Sequence, residues 1–451
     1  MTADRSLLRH RDFRQLWAAE TISQVGTQVT QLALPVLAVS LLAATPLEMG
    51  VLTALETAAF LLIGLPAGAW VDRWRRKRVL VTADLVRAVV LATLPLAYAF
   101  DALTLGQLFV VAAATGTATV FFDVAYQSYL PTLVDRDQLV DGNGKLEASR
   151  AVAQVAGPGV TGVLLRVLGA PFLVAVDAVS FLLSAVFIGR IRRPDTVPAR
   201  ASRRALRTEI AEGLSFVVRH PLLRRIVACT GTSNLFSSIT TTLLVLFALR
   251  ELDLSESVLG LVFSAGAVGG LVGAATAARF ARRVGEGRAI PLAILVMVPF
   301  TALTPLAAAG APLVLLTLSQ FGFSWAVVAY NITQVSFRQR LCPPALLGRM
   351  NASVRFLVFG TMPLGGLLGG VLGTWLGVLP TLWIAVGGQV LAASWVVLSP
   401  LVHLRDLPDG PDAGRPPEPA GAPDRPAGRV DATALPEARA PSAGSDPERA
   451  G

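Results

Sequence analysis

Residues 73–100 read RWRRKRVLVTADLVRAVVLATLPLAYAF, a short basic run followed by a long apolar stretch. An α-helix needs about 20 residues to cross the roughly 30 Å of hydrocarbon in a bilayer, and the apolar stretch has that length. A chain in hydrocarbon must satisfy its own backbone hydrogen bonds, and a helix does so. This part of the sequence therefore predicts one membrane-spanning helix with a basic anchor at one end.

Apolar blocks of the same length recur along the chain. Of its 451 residues, 53% are hydrophobic and only 15% are charged, too few charges to cover the surface of a soluble protein of this size. We predict an all-α membrane protein with twelve transmembrane helices. The predicted spans lie near 15–41, 48–71, 79–100, 104–130, 146–168, 171–190, 225–249, 257–278, 289–309, 312–336, 351–375 and 379–401.

The basic residues of the loops fall on one side of the predicted membrane. They cluster at 73–78, 190–225, 279–288 and 338–349, whereas the alternate loops are poor in Lys and Arg. Because basic loops stay in the cytoplasm, we expect a multi-pass protein of the cell (inner) membrane with both termini cytoplasmic. The net charge of +9 follows mostly from this bias and favours contact with membrane lipids. The basic loops lack interleaved aromatic residues, so we expect no nucleic-acid partner.

The longest basic loop divides the spans into two groups of six. We predict a cytoplasmic N-terminus, an N-terminal six-helix half, a cytoplasmic linker with an interfacial helix, a C-terminal six-helix half and a disordered cytoplasmic tail. These regions cover 1–14, 15–190, 191–224, 225–402 and 403–451, respectively.

The two halves show signs of an internal repeat. Arg150 stands eight residues before Pro158, and Arg355 stands eight residues before Pro363. Parallel six-helix repeats are typical of secondary transporters. Glycines near both prolines let helices approach closely. We predict helix bends or close packing at Gly157, Pro158, Gly162, Pro363, Gly365 and Gly369.

Polar residues recur at helical spacing in the first, fourth, seventh and tenth predicted spans. A polar stripe that faces lipid is costly, so these stripes face each other or water. Hydrogen bonding between helices is one interpretation, and the lining of a central cavity is the one we favour. The predicted substrate cavity comprises Glu20, Gln24, Gln28, Gln31, Thr115, Thr119, Asp123, Gln127, Asn234, Ser238, Gln320, Asn331 and Gln334.

Several ionisable residues lie within the predicted spans. Asp84 can pair with Arg87 on its own helix, and Glu147 can pair with Arg150. A buried charge is costly unless it is paired or neutralised, so a carboxylate without such a partner is a candidate for carrying a coupling proton. These candidates are Glu20, Glu56, Asp123 and Asp177, with Glu20 and Asp123 preferred because they lie on polar stripes.

The sequence shows no catalytic or cofactor-binding pattern. The three histidines, His10, His220 and His403, are scattered, and Cys229 and Cys342 lie in or beside predicted spans. No phosphate-binding glycine loop is present. We therefore expect no enzyme activity, no metal and no cofactor.

The run GAWVDRWRRKR at 68–78 resembles the signature loop between the second and third helices of the major facilitator superfamily. Over about residues 8–405 the chain resembles the drug:proton antiporter branch with macrolide-efflux and enterobactin-exporter-like members. The pair Gly157-Pro158 is similar to the helix-five motif of exporters. The resemblance implies a conformational latch that closes the cytoplasmic side, with Asp72 facing the eleventh helix. Its residues are Gly68, Asp72, Arg73, Arg76, Lys77 and Arg355.

Three departures from the family pattern bear on mechanism. Arg75 stands where the signature loop usually has glycine, and Ala277 stands in the second half where the first has Asp72. The fourth span lacks the arginine that many drug/proton antiporters of the superfamily carry. The proton-relay scheme that depends on that arginine therefore does not transfer directly to this chain.

Taken together, the sequence predicts a secondary active transporter. We expect proton-coupled export of a small amphipathic molecule, such as a drug, an antibiotic or a siderophore-like compound, by alternating access. We expect a monomer whose partners are the substrate, protons and membrane lipids. An importer or facilitator of the same fold and, from another class, a membrane-embedded ligand sensor are the alternatives.

Overall fold

The computed structural model describes residue 7 and residues 10–71, 73–134, 138–193, 206–343 and 346–403. All of them belong to one compact unit. Within these ranges the regular structure is entirely helical. In the described ranges, ten single helices and the combined stretch Ser353–Leu376 are long and apolar enough to cross a membrane, and two shorter helices together cover the remaining predicted span. The predicted fold class of twelve membrane-crossing segments is confirmed.

The N-terminal half consists of seven helices that make six crossings. They are α1 (Arg11–Ser40), α2 (Pro46–Leu62), α3 (Gly64–Val71), α4 (Arg76–Ala99), α5 (Leu105–Leu133), α6 (Leu139–Leu168) and α7 (Ala170–Gly189). The second crossing is shared by α2 and α3. Within this half, α1 packs on α6 and α7, and α4 packs on α5 and α7.

The C-terminal half repeats this arrangement after a short connecting helix, α8 (Leu206–Arg219). Its helices are α9 (Pro221–Leu246), α10 (Glu256–Val284), α11 (Glu286–Leu306), α12 (Pro312–Leu341), α13 (Leu347–Phe359), α14 (Thr361–Leu376) and α15 (Val378–Val397). Here α13 and α14 share one crossing. The connecting helix α8 packs on α13 and α9.

The broken crossings are the second of the N-terminal half and the fifth of the C-terminal half, and proline explains where each break falls. A proline inside a helix cannot donate a hydrogen bond to the carbonyl four residues earlier. Pro66 leaves the carbonyl of Leu62 without that partner, and α2 ends at Leu62. Pro363 does the same to Phe359, and α13 ends at Phe359. The predicted spans 48–71 and 351–375 are therefore broken rather than continuous helices.

The two halves pack most closely at the ends of their helices that lie opposite the basic loops. There α2 meets α14, and α6 meets α10. A Cβ added to Gly50 would lie 2.7 Å from the carbonyl oxygen of Gly366, and one added to Gly260 would lie 2.5 Å from the Cα of Gly162. These backbones touch because the residues have no side chains. We call this contact, formed by Gly50, Gly366, Gly162 and Gly260, the glycine seal.

The residues predicted for bending and packing take three different places. Gly162 lies in the glycine seal, whereas Gly157 packs α6 against Gln28 of α1. The helix α6 continues through Pro158. The remaining three lie on α14, where Pro363 belongs to the first turn and Gly365 and Gly369 contact Leu235 and Ile239 of α9, respectively.

Candidate functional site

A cavity of about 920 Å³ lies between the two halves. Its wall is formed by α1, α2, α4, α5, α6 and α7 on one side and by α10, α12 and the end of α13 on the other. Amides, hydroxyls and phenylalanine rings make up much of this wall. Such a mixture can bind a molecule that is part polar and part apolar.

The cavity is closed at one end and open at the other. The glycine seal closes it on the side away from the basic loops, and two hydrogen bonds reinforce the closure there. Ser40 donates to Glu256 over 2.9 Å, and Arg250 donates to the carbonyl of Val39 over 3.0 Å. Towards the basic loops, the wall continues through Glu147, Arg150 and Gln154, whose side chains are exposed. The cavity therefore opens towards the basic loops.

Many of the residues predicted for the substrate cavity are brought together on this wall. They are Gln24, Gln28, Gln31, Thr115, Thr119, Asp123 and Gln320. Gln127 lines a smaller cavity of about 160 Å³ that shares Asp123 with the larger one and also contains Arg355. The first and fourth predicted stripes thus meet at a common cavity.

The polar stripe of the seventh predicted span lies elsewhere. Ser233 donates to the side chain of Gln389 on α15 over 2.9 Å, and Gln389 in turn donates to Ser237 over 2.8 Å. Asn234 donates to the carbonyl of Val358 over 3.2 Å. Ser238 is buried against Gly365. This stripe holds helices of the C-terminal half together, so Asn234 and Ser238 are not on the cavity wall as predicted.

Three further predicted residues are also absent from the lining of this cavity. Asn331 is exposed, and Gln334 is buried and donates to Asn331 over 3.4 Å. Glu20 is 7% exposed, and one of its carboxylate oxygens accepts a hydrogen bond of 2.7 Å from Gln24. Because Gln24 itself lines the cavity, Glu20 lies just behind the wall.

Asp84 and Arg87 form the ion pair that their spacing predicts. Asp84 is fully buried and also accepts a hydrogen bond of 2.6 Å from Ser184. The guanidinium of Arg87 lies 4.4 Å from the ring centroid of Phe122 and 4.1 Å from that of Phe181. Arg87 also lines the cavity, a position that the sequence interpretation missed because the pair was assigned a structural role.

The carboxylates predicted as proton-coupling candidates differ in their partners. Asp177 is buried, lines the cavity and accepts a hydrogen bond of 2.8 Å from Ser180. Asp123 lines both cavities and lies within the electrostatic reach of Arg87, Arg150 and Arg355. Glu56 lines the larger cavity.

Much of the remaining wall was not predicted from the sequence. Glu147, Arg150 and Gln154 follow one another at helical spacing on α6, so a signal was present in the sequence. The aromatic part of the wall carried no such signal, because phenylalanine is common in every membrane span. It consists of Phe60, Phe122, Phe181, Phe263, Phe323 and Phe359.

The latch residue Asp72 lies outside the described residues. Lys77 donates to the carbonyls of Gly189 and Ile191 over 2.9 and 2.6 Å, at the end of α7. The guanidinium of Arg355 lies 5.8 Å from the ring centroid of Phe359.

The surroundings of Gly68, Arg73 and Arg76, the other predicted latch residues, do not indicate a latch. A Cβ added to Gly68 would meet no atom within 4 Å. Arg73 is exposed, and Arg76 is partly buried. The latch stays a prediction.

Residues 16–360 match the family model described as Major Facilitator Superfamily. The chain belongs to the major facilitator superfamily. It is similar to the multidrug efflux pump Tap of Mycolicibacterium fortuitum, with 29% identity over 348 residues, which cover 72% of this chain and 80% of that protein. It is also similar to macrolide efflux protein A of Streptococcus pyogenes, with 21% identity over 182 residues, or 40% of this chain and 45% of that protein.

The solved structures agree with this assignment of the fold. A mutant of the nucleoside transporter NupG superimposes with a TM-score of 0.72 at 16% identity, covering 86% of this chain and 99% of that one. The predicted family and fold are confirmed. This superfamily member is a multi-pass membrane transporter and not an enzyme.

Proposed function

We propose that this transporter exports a small amphipathic molecule in exchange for protons. The observation that supports the proposal best is the cavity between the halves, which is closed at the glycine seal and open towards the basic loops. A cavity open to one side at a time is what alternating access requires. The two named efflux proteins among its relatives favour export over the other directions of transport.

The loop charges indicate how the cavity is oriented in the membrane. Loops rich in Lys and Arg stay in the cytoplasm, so the open end of the cavity faces the cytoplasm and both termini lie there. A substrate then enters from the cell interior and leaves after the halves rock apart at the glycine seal. In the same orientation we expect the linker 191–224 and the tail 403–451 on the cytoplasmic side, with 15–190 and 225–402 as the two moving halves of a monomer in the cell (inner) membrane.

Asp123 is the carboxylate best placed to carry the coupling proton. It lines both cavities, so water in either one can reach it. Three arginines act on it electrostatically, namely Arg87, Arg150 and Arg355. Arg355 belongs to the C-terminal half, so rocking of the halves changes the charge around Asp123. Such a change is a physical means of linking proton release to conformation.

The experiment uses everted membrane vesicles with an acidic interior, read with a fluorescent pH indicator. Antibiotics, siderophores and lipophilic cations are added one at a time. We expect at least one compound to dissipate the gradient in the unaltered protein, and Asp123→Asn to remove that response. Asp101→Asn is the matched control, because Asp101 is an exposed loop carboxylate whose positive φ of 52° asparagine also tolerates.

Two results would contradict the proposal. If no compound dissipates the gradient although the protein is inserted, proton-coupled export is wrong. If whole cells that contain the protein accumulate a compound from outside, the importer or facilitator takes its place. Full activity of Asp123→Asn would leave export in place and move the proton to Glu20, Glu56 or Asp177.

A further inference from the structure

The charges on the cavity wall are unevenly divided between the halves. Four carboxylates and two arginines line the cavity, and all six belong to the N-terminal half. The wall supplied by the C-terminal half has phenylalanine, valine, glycine, one glutamine and one serine among its residues and no ionisable one. A substrate therefore meets a charged surface on one side and an uncharged, largely apolar surface on the other.

Most of the charged wall residues lie near a charge of opposite sign. Arg87 is paired with Asp84 and also acts on Asp123 and Asp177. Glu147 precedes Arg150 by one helical turn at the exposed mouth of the cavity. Each of these acidic groups thus has a positive charge nearby.

Glu56 is the exception among these carboxylates. In the described ranges, its side chain has no hydrogen bond and no ion pair, and no basic group acts on it. Glu56 is only partly exposed, and it lies on the cavity wall. A partly buried carboxylate without a counter-charge is less stable than a paired one, and a cation in the cavity would supply the missing charge.

The surroundings of Glu56 hold it in place and supply aromatic surface. A Cβ on Gly116 would lie 2.4 Å from the carbonyl oxygen of Glu56, so α5 packs directly on this turn of α2. Phe60 follows one turn later and also lines the cavity. Its ring stacks on that of Phe359 with the centroids 6.3 Å apart. Aromatic ring faces attract cations. Glu56 and Phe60 therefore supply two groups on the same cavity wall that favour a positive charge.

We propose that the substrate is an amphipathic cation and that Glu56 and Phe60 form the subsite for its positive charge. The apolar body of the molecule packs on the uncharged wall of the C-terminal half, at Phe263, Phe323 and Val327. This inference rests on the proposed function, because it concerns the molecule that the same cavity carries. A neutral amphiphile lacks the charge that Glu56 needs, and an anion is repelled.

The test measures binding to the purified protein in detergent by equilibrium dialysis at one fixed pH. Tetraphenylphosphonium and tetraphenylborate are the probes, since they have nearly the same shape and opposite charge. We expect the phosphonium to bind and the borate to bind at least about tenfold more weakly. Glu56→Gln should weaken phosphonium binding at least about tenfold, because it removes the charge and keeps the shape. Asp101→Asn is the control and should bind as the unaltered protein does.

The outcomes separate this inference from the proposed function. Equal binding of both probes to the unaltered protein overturns the cationic substrate without the use of any variant. A folded Glu56→Gln protein, eluting as one peak in size-exclusion chromatography, that keeps phosphonium affinity within about twofold overturns the role of Glu56. If binding is selective and depends on Glu56 but vesicles show no proton flux, the subsite stands and proton-coupled export fails. If a neutral compound alone drives proton flux, export stands and the cationic substrate fails.

Discussion

The first helix of each half, α1 and α9, occupies the same place in the repeat, and the two begin alike. His10 caps α1 by accepting from the backbone N–H of Phe13, and His220 caps α9 by accepting from that of Leu223. Both helices carry a polar stripe. Yet the stripe of α1 lines the cavity, whereas that of α9 is bonded to Gln389 inside its own half.

Two repeats with the same architecture thus use their polar stripes differently, one to line a cavity and the other to hold helices together. In the N-terminal half, the polar groups of α1 stay available to water and substrate. In the C-terminal half, the buried Gln389 on α15 forms hydrogen bonds with the hydroxyls of Ser233 and Ser237 on α9. The charged residues of the cavity follow the same division, since all of them lie in the N-terminal half. In the larger cavity, the C-terminal half therefore presents a wall without ionisable residues to a half that carries them.

The largest effect, on the transport rate, is expected at the glycine seal, where the two halves touch. Gly50→Ala places a methyl group within 2.7 Å of a backbone oxygen and 2.8 Å of a backbone Cα in α14, so the seal cannot close in its present form. We expect the transport rate to fall at least about tenfold while the protein still inserts. Gly106→Ala is the control, because a Cβ there meets nothing within 4 Å. Normal transport by Gly50→Ala would show that the seal is not part of the cycle.

The next largest effect concerns the stability of the C-terminal half. Gln389 is fully buried, and Gln389→Leu would leave Ser233 and Ser237 without their partner. Each unsatisfied buried polar group costs about 1–3 kcal/mol, although serines in a membrane helix can bond back to their own backbone. We expect a loss of about 2 kcal/mol, measured by thermal unfolding in detergent. Unchanged stability would contradict the assignment of the α9 stripe as a contact between helices.

The matching change in α1 should spare stability and alter transport. Gln31 is exposed to the cavity, and its side chain makes no hydrogen bond within the described residues. For Gln31→Leu we expect unfolding within about 0.5 kcal/mol of the unaltered protein, as for a surface change. The Michaelis constant for the exported compound should change several-fold. If unfolding shifts as far as in Gln389→Leu, the contrast between the two stripes disappears.

The smallest effect is expected at the caps of the two first helices. Burial lowers the pKa of His220 below its ordinary value of 6.5, so the folded state favours the neutral ring that accepts from Leu223. This contribution is complete above pH 6.5 and is lost as the pH falls through the lower folded-state pKa. His220→Asn keeps a capping side chain and removes the titration.

The measurement for the cap is unfolding temperature against pH. As the pH falls below 6.5, we expect the unfolding temperature of the unaltered protein to drop more than that of His220→Asn. Parallel curves for the two proteins would show that the cap does not respond to pH.

Much of the fold was predictable from the sequence because the membrane imposes one simple requirement. Each crossing needs a long apolar helix, and such blocks are visible in the chain. The break near Pro66 was not predicted, although the proline stands in the sequence, whereas a bend or close packing was predicted at Pro363. Proline tolerates several outcomes inside a membrane helix, since α6 runs unbroken through Pro158. A proline in the sequence therefore shows where a helix can break, but it does not show whether the helix breaks there.

The candidate site was predictable only in part. Gln24, Thr115 and Asp123 were expected on the cavity and lie there. Asn234 was expected on the cavity by the same rule, but it bonds to the carbonyl of Val358 instead. A polar stripe states that its face avoids lipid, and it does not say whether water or another helix lies opposite. That choice depends on a residue such as Gln389, which is 156 positions away from Ser233 along the chain.

The sequence by itself determined the fold class, with its twelve crossings, and the family. These properties depend on composition, on length and on local motifs, which act within one helix or one loop. The tertiary structure alone decided which polar stripe lines the cavity, which glycines form the seal and which wall carboxylate has no counter-charge among the described residues. Those outcomes depend on contacts between helices far apart in the chain, where burial and the supply of hydrogen-bond partners set the free energy of each polar group.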